Sequence, residues 1–367
     1  MRQNNALQVY YDERHVGTLA MTADYKVAFQ YCEEWLENGF PISPFSLPLK
    51  KQVFVPTKDY FDGLFGVFAD SLPDNWGRLL LNRLLREHKQ NLDELTVLDR
   101  LAIVGKSGMG ALTYYPEKSF SEQQKPVNLD ELAEECAKIL NTEYSDKLDE
   151  LYCLGGTKIM TTIDRKDWII KFPAHVDGKD AGKMEYDYSC CARQCGITMS
   201  ETKLFPSDIC KGYFGISRFD READGKRLHM LTAAALLELD FEQPSLDYHS
   251  LMKLTKILTR DNKEDVENMF RRMCFNVFAH NRDDHSKNFT YLYDEINDQW
   301  RLSPAYDLTY SNTYYGEHTT TVDGNGRNPG RKELLAVGIA AGMRKSNCER
   351  IIDTIEVCVS QMLGEYL

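Results

Sequence analysis

The sequence has no apolar run near the ~18 residues that a membrane-spanning helix needs. Its first residues, MRQNNALQVYYDERHVG, hold no uncharged apolar stretch of the kind that opens a secretory leader. No membrane partner is therefore expected, and the chain reads as soluble and cytoplasmic. It is also short of positive charge: 44 Lys and Arg stand against 56 Asp and Glu, a net charge of -12. Direct binding to nucleic acid is not expected from that balance, and a role at DNA would need a basic partner. Internal repeats and low-complexity tracts are missing, which excludes solenoids and fibres. The ten cysteines, at 32, 136, 153, 190, 191, 195, 210, 274, 348 and 358, contain no CxxC pair and no regular framework. Cys190, Cys191 and Cys195 lie close together in a helical pattern. With no fourth ligand near them in sequence, they read as buried reduced thiols.

What is present is an ordinary globular composition, 43% hydrophobic and 27% charged, over 367 residues, enough for two domains. Residues 6–22 alternate as a strand pair around Asp12-Glu13-Arg14, and 41–56, with four prolines, read as extended chain. Helices are expected from about Asp74 and over Asp93–Val104, followed by the strand ALTYY. A polar connection at 116–128 divides the chain into an N-terminal subdomain over 1–125 and a core over 126–367. In the core, GGTKIMTTI and DWIIKFP read as two strands, then comes a helix near 180–195, then strands near 202–205, 213–219 and 227–231. Val266, Met269, Phe270, Met273, Cys274, Val277 and Phe278 keep i, i+3, i+4 spacing over a long helix at 263–280. Two short strands, NFTYLY and WRLSPAY, and helices near 331–342 and 347–363 complete the pattern.

The stretch His280-Asn281-Arg282-Asp283-Asp284-His285-Ser286-Lys287-Asn288 leaves that apolar helix and gathers three charge types in nine residues. A solvated helix end would be the plain reading, and a hydrolytic metal site from His280, Asp283, Asp284, His285 and Asp307 is a rival. The order along the chain points elsewhere. Gly155-Gly156 precedes a strand, and Lys171 closes the strand WIIK. Asp283 stands five residues before Asn288, and Asp307 follows the second short strand. Phosphoryl-transfer sites need these parts: a glycine turn over phosphates, a lysine to hold them, an aspartate near the attacking hydroxyl, and oxygen ligands for magnesium. Glu185, on the following helix, is the candidate to pair with Lys171.

Longer blocks extend the reading. VGTL, FQYCEEWL, SLPDNWGRLLLNRLL and VGKSGMGALTY lie in the N-terminal part. DWIIKFP, EYDYSCCARQCGI, FDR, PSLDY, FNVFAHNRDDHSKNF and LSPAYDL lie in the core. Through these blocks the chain resembles, over nearly its full length, the HipA family, the kinase toxins of bacterial type II toxin–antitoxin systems. The resemblance implies an α+β, two-lobed, protein-kinase-like fold with a small N-terminal subdomain and a mainly helical C-terminal lobe. It implies Ser/Thr protein kinase activity with ATP and magnesium, acting on a protein substrate such as an aminoacyl-tRNA synthetase. Asp283 then matches the catalytic aspartate, Asn288 and Asp307 the metal ligands, and Lys171 the phosphate-binding lysine. Gly155, Gly156, Ser217, Phe219, His285 and Tyr306 fall on the nucleotide side, with His285 holding its loop by hydrogen bonds. The family's partner is a helix-turn-helix DNA-binding antitoxin, in keeping with the acidic charge here.

One stretch departs from the family pattern. In Leu151-Tyr152-Cys153-Leu154-Gly155-Gly156-Thr157-Lys158-Ile159-Met160, Cys153 stands where the family has a phosphorylatable serine and Met160 where it has a lysine. Self-inactivation at Cys153 is therefore not expected, with Thr157, Thr161 and Thr162 as nearby substitutes. The same departures motivate an alternative, a nucleotide-binding pseudokinase acting as a scaffold or co-repressor with its antitoxin.

Overall fold

The computed structural model describes residues 4–73, 77–79, 81–83, 95–118, 128–140, 158–163, 166–172, 180–222, 224–240, 243, 245–313 and 315–367. The chain divides into two compact units, one of Met1–Gly178 with Asp220–Glu238, the other of Lys179–Phe219 with Leu239–Leu367.

The first unit opens on β1 (Ala6–Tyr11), β2 (Arg14–Met21) and β3 (Val27–Tyr31), which with β4 (Leu112–Tyr115) form an antiparallel sheet in the order β3-β2-β1-β4. Asp12 and Glu13 join β1 to β2 with positive φ at both, 46° and 66°. That mirror-image turn matches the right-handed twist of the strands it connects. Leu7, Val9 and Tyr11 bury one face of β1, as the alternation of a strand requires. The proline-rich 41–56 stretch is extended, as expected, and Phe54 bridges Phe29 of β3. Helix α1 (Glu33–Asn38) buries Trp35, and α2 (Gly66–Ala69) is a single turn. Helix α3 spans Val97–Val104, later than the Asp93 start expected, because Thr96 and Asp99 form a reciprocal capping box that fixes its first turn. Helix α4 (Leu129–Leu140) follows, then the hairpin β5 (Lys158–Ile163) and β6 (Lys166–Lys171).

The second unit contributes α5 (Ala181–Gln194) and the hairpin β7 (Thr202–Phe205) with β8 (Tyr213–Ser217). The chain then returns to the first unit for β9 (His229–Thr232) and α6 (Ala233–Leu237). This return is tied to the earlier chain of its unit. Asp220 accepts from the Gly110 N–H at 2.7 Å, and Arg227 donates to the carbonyls of Lys106, Gly108 and Gly110. His229 reaches the Ile42 carbonyl at 2.7 Å, and Asp70 accepts from Thr232.

The rest of the second unit is mainly helical: α7 (Tyr248–Leu258), α8 (Lys263–Phe278), α9 (Arg331–Ala340) and α10 (Lys345–Leu363), with the hairpin β10 (Thr290–Asp294) and β11 (Gln299–Leu302). Val266, Met269, Phe270, Met273, Cys274 and Val277 of α8 are buried, so the expected stripe is core up to its last member, Phe278, which is half-buried at the helix end. Each such side chain stabilises the unit by roughly 1.5–3 kcal/mol through removal from water. Among the described residues no helix is long and apolar enough to cross a membrane.

Candidate active site

Helix α8 begins at Asn262, whose side chain accepts from the Glu264 and Asp265 N–H groups, and ends at Ala279. The chain leaves it through His280, held at φ 51°. A non-glycine residue in this left-handed region carries strain of about 1–2 kcal/mol, which the surroundings must hold in place. They do so by main-chain bonds: Asn281 donates to the Asn276 carbonyl at 2.9 Å, and Ser311 to the His280 carbonyl at 3.0 Å. Burial pushes the His280 imidazole below its ordinary range, aided by the charges of Arg282 and His318.

Past this bend, Asp283 is exposed while Asp284 is fully buried. Extended chain sends neighbouring side chains to opposite sides, so two adjacent aspartates meet opposite environments. The Asp284 carboxylate accepts from Tyr248 Oη at 2.8 Å and from the Thr320 N–H at 3.0 Å, with His318 Nδ1 also at 3.0 Å. Tyr248 accepts in turn from Asn276 Nδ2 at 2.9 Å, and the Thr320 hydroxyl donates to the Asp284 carbonyl. Burial, with the Asp284 charge beside it, raises the Tyr248 phenol far above its usual range, so it stays a donor. Asp284, Tyr248, His318, Thr320 and Asn276 thus form the support of the loop. With its carboxylate turned inward, Asp284 cannot join Asp283 around a solvent-side ion, which removes the five-residue hydrolytic site.

Asn288 closes a short 3-10 turn, Ser286–Asn288, that starts from His285. Its Nδ2 donates to the Asp283 carbonyl at 2.7 Å, joining the two ends of the Asp-x4-Asn motif directly. Asp307 arrives on the segment after β11. That segment is anchored by a bridge from Ala305 to Met199 and by the fully buried Arg272 of α8, which donates to the Ser303 carbonyl. Burial lowers Arg272 to about 10, still charged at neutral pH. Asp307 has φ 52°, a second left-handed non-glycine residue, and its carbonyl accepts from Asn281 Nδ2 at 3.4 Å. Tyr306 donates to the Lys287 carbonyl at 2.5 Å, and the Phe219 ring lies 5.3 Å from the Tyr306 ring. Asp283, Asn288, Tyr306 and Asp307 are therefore held on interlocked segments of one unit, and Phe219 joins them through Tyr306.

The other expected residues are placed as follows. Ser217 ends β8, half-buried, with its N–H on the Glu201 carbonyl at 2.8 Å. Lys171 is half-buried at the end of β6, between the buried Ile170 and Phe172. Glu185 is buried on α5. Lys171 belongs to the first unit and Glu185 to the second. Gly155, Gly156, Cys153 and Thr157 lie outside the described residues. Met160 sits in β5 opposite Ile169, and Thr162 there donates to Asp167 at 2.6 Å.

Comparison with known proteins places the arrangement first in a fold class. The α+β architecture is protein-kinase-like and similar to that of Shewanella oneidensis MR-1 HipA, determined with HipB and its operator DNA. That match has a TM-score of 0.73 and covers 98% of this chain and 90% of that one, at 17% identity, which is a likeness of fold. The family then follows. The family model for the HipA N-terminal domain matches residues 7–115 and that for the HipA-like C-terminal domain residues 119–362, and the chain belongs to the HipA family. Among curated proteins of Sinorhizobium fredii (strain NBRC 101917 / NGR234), the one named "Putative kinase Y4mE" is 25% identical over 349 residues, 84% of this chain and 78% of that protein. "Putative kinase Y4dM" is 27% identical over 183 residues, 46% of this chain and 44% of that protein.

Proposed function

We propose that this HipA-family chain is a serine/threonine protein kinase, the toxin of a type II toxin–antitoxin pair, which moves the γ-phosphate of ATP to a protein hydroxyl. The observation that carries the reading is the exposed Asp283, tied through its own carbonyl to Asn288 and set on a loop that a buried network makes rigid. Asp283 accepts the proton of the incoming hydroxyl as its oxygen bonds to the γ-phosphorus and the bond from that phosphorus to the ADP oxygen breaks. An exposed carboxylate beside bulk water is free to receive a substrate side chain.

The donor chemistry at Asn288 and Asp307 fits magnesium, a hard cation that prefers oxygen. The Asn288 amide has its nitrogen engaged with the Asp283 carbonyl, which leaves Oδ1 as its ligand atom, and Asp307 would supply a carboxylate. When bound, magnesium supplies charge neutralisation on the phosphates. The family resemblance assigns the remaining roles: Lys171 to the phosphates with Glu185 as its carboxylate, Gly155 and Gly156 to the phosphate turn, Ser217, Phe219 and Tyr306 to the adenine side, and His285 to the loop. The organisation that goes with this reading is an N-terminal domain of 1–125 and a catalytic core of 126–367. The complex in which Shewanella HipA was solved, with HipB and operator DNA, supports a DNA-binding antitoxin as the partner, with helix-turn-helix the class the family resemblance implies and an aminoacyl-tRNA synthetase the substrate class proposed.

The test is transfer of label from γ-labelled ATP into a cell extract by the purified chain, beside Asp283→Ala. A labelled extract protein that is lost with the variant supports the kinase. Magnesium-dependent ATP binding without any transfer would replace it with the pseudokinase scaffold.

A further inference from the structure

Away from the kinase-like site, three thiols from two helices converge. Cys191 and Cys195 stand one turn apart on α5, and Cys358 comes from α10. Their sulfurs all lie within 4.8 Å of one another, with Cys191 to Cys358 at 3.9 Å. Cys190, their neighbour in sequence, is not part of this group and lies 3.5 Å from the Arg193 guanidinium. One turn beyond Cys358, Met362 brings its thioether sulfur to 3.7 Å from the Cys358 thiol. Each helix thus offers an i, i+4 pair of sulfurs: the three thiols converge, and the Met362 thioether adjoins them through Cys358.

The spacing has a chemical meaning. Metal–thiolate bonds are about 2.3 Å long, so sulfurs around one tetrahedral or trigonal ion stand about 3.8–4.0 Å apart. A disulfide would require about 2.05 Å. We propose that Cys191, Cys195, Cys358 and Met362 form a binding site for a thiophilic d10 cation, Zn(II) or Cu(I), which staples α5 to α10. Thiolate and thioether donors select such ions over magnesium, so this site and the oxygen site at Asn288 and Asp307 would not compete for metal. Cys191 and Cys195 are buried, whereas Cys358 is half-buried and Met362 is exposed, which gives the ion an entry path along α10. Loading Zn(II) forms three Zn–thiolate bonds and one bond to the Met362 thioether, breaks three S–H bonds and sends three protons to solvent, leaving a complex of charge −1. The same three thiolates around Cu(I) leave −2, while the thioether suits copper better, so the two ions are separated by experiment.

The experiment uses the full chain, reduced and freed of metal, titrated separately with Zn(II), Co(II) and Cu(I) against a chromophoric chelator. One equivalent per chain is expected, with thiolate-to-cobalt charge-transfer absorption in the Co(II) arm and a raised thermal midpoint on α5–α10 stapling. Cys358→Ser should weaken binding by about 100-fold or more and Met362→Leu by about tenfold, judged against the 10–100-fold that even outer-shell changes cost. Both side chains are partly exposed, so these variants keep the core, as circular dichroism would check; Cys32→Ser serves as the control and should bind unchanged. Stoichiometric uptake that survives both Cys358→Ser and Cys191→Ala overturns the assignment. So does failure of the reduced chain to bind any of the three ions, or isolation of a Cys195–Cys358 disulfide that takes up none.

Discussion

At the scale of single residues, two neighbouring aspartates should give opposite phenotypes. Asp283 is exposed and is the proposed proton acceptor, so under that proposal Asp283→Ala should lower phosphotransfer by about 10²–10⁴-fold while changing stability by no more than about 0.5 kcal/mol. Initial rates and urea unfolding of one preparation check both halves. Asp284→Ala removes the acceptor shared by Tyr248, Thr320 and His318 in a fully buried place, and should cost about 3 kcal/mol or more of folding stability. An Asp284→Ala protein as stable as the parent would disprove the supporting role given to the network. His229 makes a pH prediction. Burial lowers its imidazole to about 4, and in the neutral form Nε2–H donates to the Ile42 carbonyl. Because the folded state holds the neutral ring, its contribution is complete above the unfolded value near 6.5. It is lost as pH falls from there toward 4, by up to on the order of 3 kcal/mol. Urea unfolding at pH 7 and pH 4.5 should show the loss, and His229→Gln should flatten it.

At the scale of elements, the best test of packing is the first turn of α5. A Cβ on Gly182 would stand 2.2 Å from the Gly212 carbonyl oxygen and 3.0 Å from the Phe214 nitrogen. Both are backbone atoms that cannot step aside, so Gly182→Ala should push α5 off β8 at a cost of about 1–3 kcal/mol. Faster amide exchange at β8 is the expected signature, and unchanged exchange would show that the helix settles elsewhere. The same elements show what a sequence can disclose. Helix α8 was legible because its buried positions repeat every three or four residues, and the β1–β2 hairpin because one strand face alternates. Strand β3, VAFQY, buries four of its five residues, so it carries no alternation to read. The Asp-x4-Asn motif was legible since its chemistry is local, and Asn288 does bond the Asp283 carbonyl. The Asp284 network was not, because Tyr248 lies 36 residues from its acceptor and no periodicity links a loop carboxylate to another helix. Cys191 and Cys195 are free and buried, as read from the sequence, while Cys190 is half-buried; the approach of Cys358 was not legible, because it lies 167 residues from Cys191.

At the scale of the whole molecule, the first unit is not a continuous stretch of chain. Residues 220–238 carry Asp220, Arg227, His229 and Thr232, and these satisfy main-chain and side-chain groups from 42, 70 and 106–110. A fragment of residues 1–178 leaves those partners bare and lacks the buried Leu231, Ala233, Ala234 and Leu236. It should unfold without cooperativity in urea or precipitate, whereas a chain ending after 238 retains the missing partners; a sharp unfolding transition for 1–178 would refute this. The discontinuity also sets an order of events at the ribosome. The nascent N-terminal unit must wait in the exit region, open to chaperones and proteases, until the 220–238 segment that satisfies its remaining hydrogen-bonding groups has been translated, so the kinetics of synthesis between codons 178 and 238 bear on how much of the protein reaches its final form.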